Sequence, residues 1–238
     1  MLDLHGVRKT RGQGAQRYSL EIGRLQLARG DRVALVGPSG CGKSTVLDLL
    51  ALVLAPDAAQ GFRLVMDEQA IDVAQLWRQR QLDSLAALRS QHLGYVLQAG
   101  GLLGFLDVRD NLRLPRRLLG LGDDGSVERL AQALDVHDQL DKKPTALSLG
   151  QRQRVSCARA LVHAPSLLLA DEPTAALDPL NAERVMQLLL RQAQARQVTC
   201  VVATHDEGLA RSAGLTVLRM TCRRDPDGGV TARLEQAA

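Results

Sequence analysis

Aromatic side chains are almost missing from this chain: one Trp, two Tyr and two Phe among 238 residues. A core without large rings has to be built from Leu, Val and Ala, and a stacking platform for a base has few candidates. Long apolar runs are missing too. None reaches the roughly 18–20 residues of a membrane span, and the longest, Val46 to Ala55, is interrupted by Asp48. The N-terminal stretch MLDLHGVRKTRG has no apolar core of a secretory signal, so neither a span nor an export signal is expected. Lysine is scarce: Lys9, Lys43, Lys142 and Lys143 are the lysines, and arginine supplies the rest of the 30 basic residues. Against 26 acidic residues the net charge is only +4, which reads as a solvated surface, and nucleic acid is not an expected partner. The four cysteines, Cys41, Cys157, Cys200 and Cys222, lie too far apart for metal-ligand spacing. They read as free thiols of a reducing compartment.

What remains is ordinary globular composition, 45% apolar and 24% charged, at a length that suits one domain or one domain with an inserted lobe. Strand patterns fall at Leu2–Val7, Leu20–Leu27, Arg32–Val36, Phe62–Met66 and Leu93–Leu97. They return at Ser166–Ala170, Val198–Ala203 and Leu215–Met220. Helices are expected over Lys43–Leu54, stopped near Pro56, over Val73–Arg89 and over Pro179–Arg196. The stretch from Ala99 to Ala164 is helical in character, with segments at Val127–Leu134 and Gln151–Val162. Strands and helices alternating on both sides of a helical middle predict an α/β core with a helical insertion. The last sixteen residues, RRDPDGGVTARLEQAA, read as a short tail that leaves no room for a further domain.

Gly37-Pro38-Ser39-Gly40-Cys41-Gly42-Lys43-Ser44-Thr45 fits G-x-x-x-x-G-K-[ST], with an apolar strand before it and a helix after it. The glycines let successive N–H groups turn inward as an anion nest, and the helix N-terminus adds partial positive charge. Lys43 has the reach for β- and γ-phosphates, and the Ser44 hydroxyl suits Mg²⁺. The loop alone implies a nucleoside triphosphate without choosing among kinase, GTPase and ATPase. Leu167-Leu168-Leu169-Ala170-Asp171-Glu172 is an apolar strand ending in two carboxylates. With the phosphate loop upstream, Asp171 suits the Mg²⁺ shell and Glu172 a general base on the attacking water. His205 follows the apolar run Val201-Val202-Ala203 and is expected at a neighbouring strand end, within reach of a γ-phosphate and of Glu172.

Leu147-Ser148-Leu149-Gly150-Gln151 resembles the signature motif, L-S-G-G-Q, of the ATP-binding-cassette ATPases. Gln98 resembles that family's Q-loop glutamine, Ala176-Leu177-Asp178 its D-loop, and Ala203-Thr204-His205-Asp206 its switch-histidine loop. Six motifs in the family's order cover residues 37–206. The resemblance implies a P-loop NTPase fold: a RecA-like core and antiparallel β-subdomain over 1–98 and 165–238, with a helical subdomain over 99–164. It further implies hydrolysis of ATP with Mg²⁺, with Ser44, Gln98 and Asp171 on the metal and Lys43, Glu172 and His205 catalytic. A second copy joins head to tail, so that each ATP lies between Lys43 of one copy and Ser148, Gly150, Gln151 and Asp178 of the other. Leu149 departs from the usual glycine, while Ser148 and Gly150 keep the phosphate-facing chemistry. The adenine-stacking aromatic is also out of place: Tyr18 lies closer to Gly37 than the family's spacing, and Arg11 falls nearer the expected position.

The stretch from Ala87 to Gln98, with Leu102-Leu103 and Asn111-Leu112, is similar to the ATPases of lipoprotein-release and macrolide-efflux complexes. Type VI secretion complexes include relatives of this kind. That similarity implies an integral permease on a separate chain, periplasmic or outer-membrane accessory proteins, and a peripheral place on the cytoplasmic face of the inner membrane. The apolar segment Gly100 to Leu106 is where the family grips a permease helix. Arg116, Arg117, Arg152 and Arg154 read as solvated surface. A soluble cassette working on a cytoplasmic scaffold, as in iron–sulfur assembly, is the alternative.

Overall fold

A computed structural model describes residues 1–66 and 69–235 of the chain. Two long strands open it, β1 (Leu2–Arg11) and β2 (Tyr18–Leu27), followed by β3 (Arg32–Val36) and α1 (Lys43–Leu50). Next come β4 (Gly61–Met66), β5 (Gln69–Asp72), α2 (Val73–Arg78), α3 (Leu82–His92) and β6 (Leu93–Val96). The helices α4 (Val108–Leu118), α5 (Ser126–Ala133) and α6 (Leu149–Leu161) lead to β7 (Leu167–Asp171). The chain then runs through α7 (Pro179–Ala195), β8 (Thr199–Thr204), α8 (Glu207–Ser212), β9 (Thr216–Arg224) and β10 (Val230–Glu235).

Among the described residues the strands form one ten-stranded sheet in the order β5-β4-β1-β2-β10-β9-β3-β8-β7-β6. From β9 to β6 every neighbour is parallel. β1 pairs antiparallel with β2 and β4, and β4 with β5. β10 is the seam: it lies parallel to β2 and antiparallel to β9. The fold is thus the expected α/β type. Side chains of the central strands alternate between two cores, as a doubly covered sheet requires. Leu35, Leu167, Leu169, Val201 and Ala203 join the core under α1, whereas Ala34, Val36, Leu168, Ala170, Cys200 and Val202 join the core under α6 and α7. Gly94 allows β6 to come in under α6, because a Cβ there would stand 2.1 Å from the Ala160 carbonyl oxygen.

Several expectations are corrected. The helix after Lys43 ends at Leu50, since Leu52 turns into the left-handed region (φ 58°) ahead of Pro56. The single helix over Val73–Arg89 is two helices, broken where Arg80 takes φ 54°. The C-terminal segment is no tail, because Val230–Glu235 closes the sheet between β2 and β9. Arg116 is not solvated surface: its side chain is only 12% exposed, with its guanidinium on the Val162 and Gly122 carbonyls. Arg152 donates to the Leu147 carbonyl, and the Arg154 Nε is buried with no hydrogen-bond partner among the described residues.

The loop between β6 and α4 is held from below. Asn111 is fully buried; its Oδ1 accepts from the Leu103 N–H (2.8 Å), and its Nδ2 donates to the carbonyls of Leu103 (3.0 Å) and Asp107 (2.8 Å). Ser156 and Arg159 of α6 donate to the Gly100 carbonyl, and Arg159 also to that of Gly101. The loop is therefore pinned at both ends while Phe105 stands 75% exposed between them.

Candidate active site

The phosphate loop connects β3 to α1. Gly40 and Gly42 both take positive φ (77° and 89°), the conformation that turns the backbone back on itself. Gly42 then opens α1 with no side-chain cap, so the first N–H groups of this helix are left to face the loop. Tyr18 packs directly against it. Its hydroxyl donates to the Cys41 carbonyl at 3.1 Å, and a Cβ on Gly42 would stand 1.6 Å from that hydroxyl. Tyr18 is also the register partner of Arg11 across β1 and β2. Both residues line the cleft beside the loop, with Tyr18 committed by its hydroxyl to the loop itself and the half-exposed Arg11 guanidinium 3.9 Å from Asp48 Oδ2.

That cleft has a volume of about 390 Å³. Ser39, Gly40, Gly42, Lys43, Ser44 and Thr45 line it from the loop, Gln98 from the end of β6, and Asp171 and Glu172 from the end of β7. Gly37, Pro38 and Cys41 do not line it; the Cys41 side chain is buried behind the loop. Lys43 is only 6% exposed. Its ammonium donates to the carbonyls of Gly37 (2.9 Å) and Pro38 (3.2 Å) and lies 3.4 Å from Glu172 Oε1. The other Glu172 oxygen, Oε2, is 2.8 Å from His205 Nδ1. Glu172 itself takes φ 45°, a left-handed conformation rare for a side chain of this size, and its N–H donates to the Ala203 carbonyl at 2.9 Å. The strained turn swings the carboxylate out of strand β7 and across the edge of β8, where His205 follows the strand end.

Asp171 is the residue before it, 9% exposed at the end of a wholly buried strand. Burial pushes its carboxyl above the usual carboxylate range, opposed by a hydrogen bond from Ser44. One of its oxygens, Oδ1, is buried and has no hydrogen-bond partner among the described residues. A buried anionic oxygen left unpaired, beside a hydroxyl and a carboxamide, is a donor set that fits a small hard cation such as Mg²⁺. Asp48 of α1 also belongs to this neighbourhood: it accepts from the Tyr95 hydroxyl (3.3 Å) and adds negative charge near Asp171. The sequence shows Asp48 only as a lone polar residue among apolar ones, and nothing in its spacing marks it.

Ser148, Gly150, Gln151 and Asp178 are brought together elsewhere, around a second depression of about 310 Å³. Ser148 caps α6 in a reciprocal box, accepting from the Gln151 N–H (3.2 Å) while its own N–H donates to Gln151 Oε1 (2.8 Å). Asp178 caps α7, and hydrogen bonds from Asn181 hold its carboxyl below the usual range. Within one chain this depression shares no lining residue with the Lys43 cleft.

Residues 20–175 match the model of the ABC transporter family. The chain belongs to that family. It carries the family's ATPase cassette. Over 218 residues it is 41% identical to macrolide export ATP-binding/permease protein MacB 1 of Aeromonas hydrophila, covering 90% of this chain and 32% of that protein. The chain thus spans about a third of the length of the MacB proteins it matches. It is 37% identical to lipoprotein-releasing system ATP-binding protein LolD 1 of Rhodospirillum rubrum, covering 88% of this chain and 91% of LolD 1. Among solved structures it is similar to the dimeric bacterial ABC transporter cassette MJ0796, with 31% identity, a TM-score of 0.78, and coverage of 97% of this cassette and 96% of that one. The post-hydrolysis state of MJ0796 bound to ADP and phosphate superposes with a TM-score of 0.77 at 32% identity, with the same coverage of both chains. No helix among the described residues is long and apolar enough to cross a membrane.

Proposed function

We propose that this cassette hydrolyses MgATP in the Lys43 cleft as one half of a head-to-tail dimer, and drives a separate permease of the lipoprotein-release or macrolide-efflux type. The observation that carries the chemistry is the Glu172 carboxylate, held between Lys43 and His205 at 3.4 and 2.8 Å on a left-handed residue. Lys43 and the N–H groups that open α1 bind the terminal phosphates. Glu172 Oε1 takes the proton of the attacking water, while His205, donating from Nδ1, holds the carboxylate in orientation through Oε2. Ser44, Asp171 and Gln98 would hold Mg²⁺, which supplies neutralisation of phosphate charge. Arg11 or Tyr18, both of which line the cleft, would stack on the base.

The two separate depressions support a second copy. In this reading Ser148, Gly150, Gln151 and Asp178 of another chain meet a phosphate at Lys43, and the dimeric cassettes similar to this one favour that arrangement. The division into a core over 1–98 and 165–238 and a helical subdomain over 99–164 is part of the same reading, with Gln98 at the junction. Likeness to LolD 1 over almost its whole length supports a cassette that serves a lipoprotein-releasing type of system. A permease on a separate chain and a place at the cytoplasmic face of the inner membrane go with that proposal. Periplasmic or outer-membrane accessory proteins, and a type VI secretion context, belong to the same reading.

The Glu172→Gln variant is expected to bind ATP and to remain dimeric in it. Turnover close to that of the parent would refute the base assignment. Pull-down of tagged Glu172→Gln chain with ATP and Mg²⁺ from detergent-solubilised membranes is expected to recover a permease with few spans and a large periplasmic domain. Recovery of soluble scaffold proteins alone would favour the iron–sulfur-type alternative and overturn the transporter assignment.

A further inference from the structure

Behind the phosphate loop, on the side away from the cleft, two thiols meet. Cys41 is 1% exposed, and its sulfur packs on Gly37, where a Cβ would stand 2.8 Å from it. A Cβ on Gly37 would also stand 2.8 Å from the Met220 carbonyl oxygen, so β9 passes close to the start of the loop. Cys222 lies two residues further along β9, on the same face of the strand as Met220. Its thiol and that of Cys41 are neighbours behind the loop, since Cys41 and Met220 pack on the same face of Gly37 and Cys41 bears on the ionisation of Cys222. Cys222 is exposed, and both cysteines are reduced in the structure. One member of the pair therefore meets solvent while the other is part of the nucleotide-binding loop.

We propose that Cys41 and Cys222 form a thiol pair that hydroperoxides oxidise to a disulfide, and that this disulfide switches off nucleotide binding. The exposed Cys222 thiolate attacks one oxygen of the hydroperoxide, giving a sulfenic acid and releasing water or an alcohol. The Cys41 sulfur then attacks the sulfenic sulfur and expels the hydroxyl as a second water. Two thiols and one hydrogen peroxide thus become one disulfide and two waters. Burial, with Cys41 next to it, holds the Cys222 thiol above its ordinary range, against the pull of Lys43. The first step is therefore slow, and a sustained oxidant is needed to complete it. Cys157 and Cys200 offer no competing site, because both are wholly buried and burial pushes their thiols up to about 12.

The loop has little slack to absorb the bond. An S–S bond is about 2.05 Å long, well inside the separation of two unbonded sulfurs, so forming it moves Cys41 or β9 by roughly an ångström or more. Cys41 precedes Gly42 and Lys43 directly, and Tyr18 already fills the space beneath Gly42 and holds the Cys41 carbonyl. Displacements on the order of 1 Å cost up to about a hundredfold in a preorganised site. This inference rests on the nucleotide assignment of the Lys43 cleft.

The test treats the purified full chain with hydrogen peroxide. Cross-linked peptides are read by non-reducing mass spectrometry, and ATP affinity is measured before and after dithiothreitol. The expected result is a Cys41–Cys222 peptide with at least roughly tenfold weaker ATP binding, restored by reductant. The Cys222→Ser variant, which leaves the cleft intact, is expected to bind ATP as the parent does and to ignore peroxide. Oxidation of Cys222 without the linked peptide overturns the pairing. A linked peptide with unchanged affinity, or equal peroxide sensitivity in Cys222→Ser, overturns the switch. A reduced chain that fails to bind ATP overturns the nucleotide assignment and the switch with it, while the linked peptide, read without nucleotide, still reports on the pairing.

Discussion

Substituting Gly42 by Ala tests how tightly the phosphate loop is built onto Tyr18. The new Cβ meets two obstacles. Gly42 has φ 89°, and a left-handed conformation costs an ordinary residue about 1–2 kcal/mol. The Cβ also falls 1.6 Å from the Tyr18 hydroxyl oxygen and 2.7 Å from the carbon that bears it, so the ring has to leave. Its departure breaks the hydrogen bond to the Cys41 carbonyl, worth about 0.5–1.5 kcal/mol. The expected loss is therefore about 1.5–3.5 kcal/mol. The obstacle below shrinks stepwise when residue 18 is Phe, which lacks the oxygen, and vanishes when it is Ala. Urea unfolding of Gly42→Ala in Tyr18, Tyr18→Phe and Tyr18→Ala backgrounds measures this, with the single tryptophan, Trp77, and far-UV circular dichroism as probes. The penalty should fall in that order, leaving about 1–2 kcal/mol with Ala at position 18. An equal penalty in all three backgrounds would refute the packing argument, and one below about 0.5 kcal/mol would refute both terms.

Other consequences follow from the same geometry. Asn111→Ala removes a buried group that makes four hydrogen bonds to the backbone of Leu103, Leu106 and Asp107 and should cost about 2–4 kcal/mol in denaturant unfolding; a loss under about 1 kcal/mol would contradict its pinning role. Burial keeps His163 neutral below the ordinary histidine range, helped by Arg116 and His92 against the hydrogen bond to the Leu93 carbonyl. The unfolded chain takes up this proton near pH 6.5 and the folded chain does not, so His163 makes stability fall as pH drops below about 6.5. Asp171, shifted upward, contributes with the opposite sign, so the readout is the difference between the parent and His163→Gln, whose pH profile should be flatter by up to about 1.4 kcal/mol per pH unit. Arg11→Ala should weaken ATP binding if its guanidinium faces the base; Arg11→Ala and Tyr18→Ala both binding ATP like the parent would remove both cleft-rim residues from that role.

Much of the site is legible in the sequence because its parts are local. A glycine-rich turn between an apolar strand and a helix dictates the phosphate loop, and an apolar run ending in Asp171-Glu172 dictates carboxylates at a strand end. Other features depend on contacts no local pattern contains. β10 is polar, short and preceded by glycines, and it becomes a strand because β2 and β9 each leave an edge for it to pair with. The break at Arg80 goes unmarked by any Gly or Pro, and the helical spacing of Leu76, Leu82, Leu85 and Leu88 runs across it. Arg116 looks like any surface arginine until Val162 and Gly122 present carbonyls to it.

The sequence by itself determined the glycine-rich turn between β3 and α1 and which carboxylates end β7, because turn geometry and strand burial are set by neighbours a few residues away. Only the tertiary structure decided that Glu172 stands between Lys43 and His205, that Ser148 and Asp178 lie in a different depression from Lys43, and that Cys222 reaches Cys41 beneath the loop. Those pairings join residues 33 to 181 positions apart, and the free energy that holds them comes from the two cores of the sheet rather than from any segment alone.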